Sequence, residues 1–313
     1  MKLAVLMSTY NGEKYVREQI DSILAQKDID LRLYMRDDGS KDNTAAILRA
    51  YEAAHDNVVC INRDRIQNAG IRDSFLDLLA FAYRDADCEL FAFADQDDVW
   101  KPEKLSAASQ KLAELPANNR GKLYYSNKSF VDQNLNLIRE ENIVFYDDFF
   151  EVLWKNLASG CTMVFDRALA GYALKHRPQT DCIHDNWIYR IAKAIGSTVI
   201  FDSDSYILYR QHGNNEVGIE GAKLYHSSVS YMLKRAVPLL FQKRDHKRIL
   251  YLKEIYDLYR SDMVEENAKL IDTFLHYRFS PVNKWKLIHH PDMKKRDRKS
   301  RVVWWYSIVF NRL

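Results

Sequence analysis

The chain has 313 residues, 47% of them apolar and 28% charged, with 10 Gly and 6 Pro. These proportions exclude a disordered, collagen-like or disulfide-stapled chain, and the length suits one large domain or two ordinary ones. The net charge of +3 hides an asymmetry, because residues 226–313 hold 19 Lys/Arg against 9 Asp/Glu while the first 225 hold 27 against 34.

In chain order, Leu3–Met7 is a short apolar run, followed by a helical pattern through Tyr15, Ile20, Ile23 and Leu24. Leu31–Met35 predicts a second strand and Ala45–Tyr51 a helix. Val58–Ile61 predicts a third strand, and Phe75, Leu78, Leu79 and Ala82 mark another helix. Leu90–Ala94 is a fourth apolar run ending in acid. Continuous apolar strands separated by amphipathic helices imply a mostly parallel sheet covered on both faces, which binds ligands at the carboxyl ends of its strands. Further on, Lys122–Ser126, Cys161–Phe165, Thr198–Phe201 and Tyr206–Tyr209 read as strands, with helices at Ala168–Lys175 and Asn186–Ile195. From about residue 226 helical patterns dominate, as in Ile249, Leu252, Ile255, Tyr256 and Tyr259, spaced along one helix face. The expected division is therefore an α/β domain over 1–225 and a basic helical extension over 226–313.

The strand ends carry the chemistry. Strand one ends in Ser8-Thr9-Tyr10-Asn11-Gly12, strand two in Arg36-Asp37-Asp38-Gly39-Ser40, and strand four in Asp95-Gln96-Asp97-Asp98. No G-x-G-x-x-G turn follows strand one, and no P-loop is present, so diphosphate charge has to be met another way. Two carboxylates one residue apart after a buried strand can hold a hard divalent cation, which then neutralises a diphosphate. A solvated turn or helix cap is the competing reading of the same residues.

Taken together, Ser8–Gly12, Asp37–Thr44, Asn68-Ala69-Gly70 and Ala94–Asp98 resemble the family-two glycosyltransferases of GT-A fold. The resemblance continues through Ser159–Met163, His184–Trp187 and Tyr209–Asn215, covering roughly residues 3–218. The wording Asp95–Trp100 is similar to a bacterial branch that includes many rhamnosyltransferases. The resemblance implies a Rossmann-like GT-A sheet and an inverting transfer from a UDP- or dTDP-sugar to a hydroxyl of a saccharide or lipid-linked saccharide. It places Thr9 and Tyr10 in the base pocket, Glu13 near the ribose, and Asp38 as acceptor from a uracil or thymine N3–H. Asn68, Gly70 and Arg72 fall beside that pocket, with Arg72 and Arg210 as diphosphate contacts. Asp97 and His212 are the implied ligands of Mn2+ or Mg2+, with Asp95 nearer the ribose or binding the metal through water, and Asp98 able to share either role. Asp185 matches the catalytic base, and a carboxylate at the start of a helix is expected to keep a low pKa. Many relatives have Glu where this chain has His184.

The segment Lys294–Arg301, followed by Val302–Phe310, combines cations with aromatic residues. It is too short to span a bilayer but can lie in an anionic membrane surface, or else pack its aromatics onto the body or a partner subunit. Nucleic acid is not expected, since the body is acidic and no recognition-helix motif occurs. The absence of a leader pattern and of C-x-x-C pairs points to a cytoplasmic protein with reduced thiols, on or near the inner face of the cell membrane. Its oligomeric state is open. A nucleotidyltransferase and a catalytically silent nucleotide-sugar binder are the rival readings.

Overall fold

The computed structural model describes residues 2–62, 68–153, 157–213 and 246–312. Its elements run β1 (Lys2–Thr9), α1 (Val16–Leu24), β2 (Asp30–Asp37), α2 (Thr44–Ala54), β3 (Val58–Cys60), α3 (Ile71–Ala82) and β4 (Cys88–Ala94). Next come β5 (Val99–Trp100), α4 (Lys104–Glu114), β6 (Lys122–Val131), β7 (Leu137–Glu140), β8 (Val164–Asp166), α5 (Arg167–Lys175), α6 (His184–Ile195) and β9 (Thr198–Arg210). The C-terminal helices are α7 (His246–Tyr259), α8 (Glu265–Leu275), α9 (Pro281–Ile288), α10 (Pro291–Lys294) and α11 (Arg298–Val309).

The strands form one sheet in the order β3-β2-β1-β4-β8-β6-β9-β5, with β7 paired to β6. Strands β1 to β4 are mutually parallel, whereas β8 runs antiparallel between β4 and β6. Alternation along β1 splits its side chains between two cores: Ala4 and Leu6 face one, Leu3, Val5 and Met7 the other. In β4, Phe91 and Phe93 enter the first core and Leu90, Ala92 and Ala94 the second. Helices α1, α2 and α4 cover one face; α3, α5 and α6 cover the other. Because β2 lies on one side of β1 and β4 on the other, the chain leaves the sheet in opposite directions there and opens a crevice at the strand ends.

The C-terminal helices join the first of these cores. Leu252, Ile255 and Tyr259 of α7, Ile271 and Phe274 of α8, Leu287 of α9, and Trp304 and Ile308 of α11 are buried with Trp187 and Ile191 of α6. The predicted face of α7 is therefore the one that packs. Trp304 donates from its indole Nε1 to Leu287 O at 3.0 Å and meets Phe150 edge-on at 4.8 Å. Arg296 is buried in a bidentate pair with Asp148 (2.8 and 2.9 Å), with Glu151 at 2.7 Å and the Tyr146 ring beneath it. The proposed boundary near residue 225 lies outside the described residues.

Two details depart from the sequence reading. Thr198–Arg210 is one long strand rather than two, running parallel to β6 with a register shift near Ser126 and Asn127. Cys161 sits in a 3-10 turn (Gly160–Thr162) before the short β8 and is among the residues lining the crevice instead of extending the sheet. All four cysteines are free thiols.

Candidate active site

The ends of β1, β2 and β4 are stitched together by short polar contacts. Asn11 N–H donates to Ser40 Oγ at 2.9 Å, Lys41 N–H to Asn11 Oδ1 at 2.8 Å, and Gly12 N–H to Thr44 Oγ1 at 2.8 Å. Gln96 clamps the first loop twice: its Oε1 accepts from Tyr10 N–H (2.9 Å) and its Nε2 donates to Tyr10 O (3.0 Å). A β-carbon at Gly12 would stand 2.3 Å from Gln96 Oε1, so a side chain there would push the Gln96 clamp aside. Gly70 opens α3 at φ 78°, ψ 157°, a conformation that a side chain disfavours strongly.

Together these loops wall a cleft of about 460 Å³, lined among others by Thr9, Tyr10, Asp38, Asn68, Gly70, Asp95, Asp97, Lys128, Gly160, His184, Asp185 and Tyr209. Tyr10 is exposed at its mouth. Asp38 is buried, with Oδ1 accepting from Ala69 N–H (2.7 Å) and from Arg36, and Oδ2 accepting from Gly70 N–H (2.9 Å). A carboxylate has about four lone-pair sites, so one remains for a further donor. Asn68 holds the loop by donating to Asp38 O at 3.0 Å.

His212 Nε2 lies 2.8 Å from Asp97 Oδ2, although the residues are 115 apart in sequence, and the imidazole stacks on Tyr15 at 5.0 Å. Both side chains are mostly shielded but reach solvent. Two ligand atoms bound at right angles about 2.1–2.2 Å from one cation stand about 3 Å apart. This oxygen–nitrogen pair therefore fits a divalent ion such as Mn2+. Asp95 is beside it, its carboxyl raised by burial first, then by Asp97 and Asp185. A second cluster, Asp95, Asp98 and Cys161, brings its ligand atoms within 4.8 Å of one another. It suits a hard cation less well: burial holds the Cys161 thiol protonated, and Asp98 turns inward, where its Oδ1 accepts from Arg210 N–H at 3.2 Å.

On the opposite wall, Asp185 occupies the second position of α6, and Ile183 is the N-cap. Its Oδ2 accepts from Gly160 N–H at 3.1 Å and its Oδ1 from Asn186 N–H. The expected low pKa does not follow. Burial outweighs the amide donors and Lys128, raising the carboxyl to about 6. His184 is 4% exposed, stacked 3.9 Å from Phe75 and edge-on to Phe93. Burial lowers it to about 3, and neither ring nitrogen has a protein hydrogen-bond partner. It is therefore a neutral, weakly basic group.

Three predicted contacts sit elsewhere. Arg210 is buried behind the acidic loop, donating to Asp97 O (2.8 Å) and Gln133 O (2.6 Å), paired with Glu18 and lying over Tyr15. It fixes Asp97 from behind and does not line the cleft. Arg72 turns to Asp73 (2.7 Å) and Thr180 O. Glu13 accepts from Asn43 N and Nδ2, both at 2.9 Å, ahead of α2. Conversely, Lys128 was not anticipated. It is 7% exposed on β6, donates to Ser159 Oγ at 2.7 Å, sits over the Tyr209 ring, and acts electrostatically on Asp95, Asp98 and Asp185. The available signal is Lys128 within the polar stretch Ser126–Ser129, which interrupts the apolar residues of β6.

Residues 4–195 match the family model described as glycosyl transferase family 2. The chain is 31% identical over 224 residues to the dTDP-rhamnosyl transferase RfbG of Shigella flexneri, covering 68% of this chain and 73% of that one. It is 27% identical over 172 residues to WfgD of Escherichia coli, a UDP-Glc:alpha-D-GlcNAc-diphosphoundecaprenol beta-1,3-glucosyltransferase, covering 53% and 61% respectively. Among solved structures, S. aureus TarS 1-349 in complex with UDP-GlcNAc superposes with a TM-score of 0.57 at 18% identity, covering 99% of this chain and 80% of that one. That likeness concerns the fold, which is of the GT-A kind.

Proposed function

This chain belongs to glycosyl transferase family 2, and from that premise we propose that it moves a sugar from a UDP- or dTDP-sugar to a hydroxyl of a saccharide or lipid-linked saccharide, inverting the anomeric centre. The observation that carries this reading is the convergence of Asp97 and Asp185 on one cleft, from the loop after β4 and from α6, with His212 of the segment after β9 brought against Asp97. The relatives that act on dTDP-rhamnose and on a diphosphoundecaprenol-linked sugar support the donor and acceptor classes.

Each wall has a task. The Tyr10 ring offers a face for the base, and the open lone pair of Asp38 accepts an imide N–H. Asp97 and His212, with Asp95 as a further carboxylate, would hold a divalent cation, which supplies positive charge for the diphosphate leaving group. Asp185 takes the proton of the acceptor hydroxyl as that oxygen bonds to the anomeric carbon. The bond from that carbon to the diphosphate oxygen breaks, and the nucleoside diphosphate leaves. A carboxyl near 6 is ionised at pH 7 yet more basic than an ordinary carboxylate, as a general base requires.

The test is product analysis. UDP- and dTDP-sugars are offered with saccharide acceptors and Mn2+, and the new linkage is read by NMR coupling constants. Acceptor-dependent release of nucleoside diphosphate with an inverted centre is expected. Retention would refute the single-base reading. Release of pyrophosphate would indicate nucleotidyl transfer, and donor binding without turnover a silent binder.

A further inference from the structure

The C-terminal helices have two faces, and only the inner one is used by the fold. On α11, Trp304 and Ile308 are buried, while Val302 and Trp305 are 59% and 49% exposed. On α9, Leu287 is buried, while Val282 and Trp285 are 61% and 63% exposed, and Phe279 just before it is 96% exposed. The exposed positions 282, 285, 286 and 289 recur at helical spacing, as do 298, 301, 302 and 305, so each helix presents one continuous outer stripe. The helices lie antiparallel, with Trp304 Nε1 bonded to Leu287 O and Lys284 Nζ to Val309 O at 3.1 Å, so both stripes look away from the same core.

We propose that this outer face of α9 and α11 docks on an anionic lipid bilayer. Its cations are exposed and adjoin the aromatics: Lys286 beside Trp285, and Arg298, Lys299 and Arg301 around Val302. The acids nearby are engaged within the protein, Asp297 capping Ser300 N–H at 2.9 Å and Asp292 pairing with Lys295 at 2.6 Å. Tryptophan favours the headgroup level, and lysine and arginine beside it gain from an anionic leaflet. A protein interface accepts tryptophan and arginine but is depleted of lysine, so Lys286 and Lys299 beside the aromatics fit a second copy of this chain less well. No helix among the described residues is long and apolar enough to cross a membrane. The contact is therefore one of lying on the surface. Arg296 and Trp304 take no part, because both are spent on the core. For that reason deleting the segment is the wrong test, and outer-face substitutions are the right one.

The experiment is co-sedimentation of the full chain with vesicles of equal parts phosphatidylglycerol and phosphatidylcholine, and with phosphatidylcholine alone. Binding is expected only to the anionic vesicles, falling as salt rises. The charge variant Arg298→Glu/Lys299→Glu/Arg301→Glu and the apolar variant Trp285→Ser/Trp305→Ser should each weaken partitioning about tenfold or more. Both should keep the parent melting temperature. Absence of binding by the parent, or unchanged binding by either variant, would overturn the proposal. So would a concentration-dependent dimer that the tryptophan variant dissolves without any vesicle binding. No turnover is measured, so this inference and the transfer reaction fail independently.

Discussion

Arg296 in the C-terminal layer and Lys128 in the cleft are both almost inaccessible cations, and their surroundings are opposite. Arg296 has a bidentate carboxylate, a second carboxylate and an aromatic face at contact distance. Lys128 has a serine hydroxyl and a tyrosine ring at contact distance and, among the described residues, no ion pair; the carboxylates it acts on lie beyond ion-pair distance. Arg210, engaged on every side behind the acidic loop, belongs with Arg296. Where buried charge is closed on all sides it holds the fold together, and where it is left partly open it is available to a ligand. Asp185 follows the second pattern, with a raised carboxyl, and beside it the neutral His184 imidazole lacks protein partners.

That contrast can be broken at several points. The largest effect is expected for Arg296→Met, which strands Asp148 and Glu151 in the interior. Breaking a buried pair on one side costs about 3–5 kcal/mol, to be read by denaturant unfolding, while donor affinity and turnover per folded molecule stay at parent values. Equal loss of activity and stability would mean that the C-terminal layer shapes the cleft. Asp97→Ala should do the reverse. Turnover with Mn2+ should fall by about 10²–10³ or more, the scale of losing charge stabilisation at a leaving group, with the melting temperature in the absence of metal nearly unchanged. Full activity in excess chelator would remove Asp97 and His212 from any metal role. The smallest effect is expected for Lys128→Met. Removing a positive charge near Asp185 raises its carboxyl further, so the acid limb of kcat/KM should move to higher pH by about one unit. The loss is then about tenfold below pH 6 and slight at pH 8. An unmoved acid limb would show that Lys128 serves packing alone.

Much of this contrast was legible in the sequence, and what escaped has identifiable causes. Acidic strand ends after continuous apolar runs can only gather at one edge of a parallel sheet, so Asp38, Asp95 and Asp97 were found together. Asp185 was found through the family resemblance, yet its basicity was misjudged, because helix position can be read from sequence and desolvation by a cleft wall cannot. Arg210 and His212 stand two residues apart, a spacing that would put both on one side of a continued strand. The strand ends at Arg210, so the alternation stops before His212 and the two side chains diverge. Arg72 and Glu13 are placed by the family resemblance, and in the structure each turns to protein partners, Arg72 to Asp73 and Thr180 and Glu13 to Asn43. In the tail, composition announced cations and aromatics, but assigning Trp304 inward and Trp305 outward required knowing which side of α11 meets Leu287 and Phe150.

The central claim, that open buried charge in the cleft serves chemistry at the expense of stability, rests most directly on Asp185→Asn, assayed for turnover and melting together. The carboxyl stands near 6 in the folded chain against about 3.9 when unfolded, so the native state holds more protons between those values and loses stability as pH rises through them. The amide carries no such charge. At pH 7.5 the variant should melt no lower than the parent, with any gain shrinking toward pH 4. Its kcat should fall about 10²–10⁴-fold with donor affinity retained. A variant that melts well below the parent at pH 7.5 but keeps its turnover per folded molecule would contradict the account, making Asp185 a structural residue and leaving the base elsewhere in the cleft.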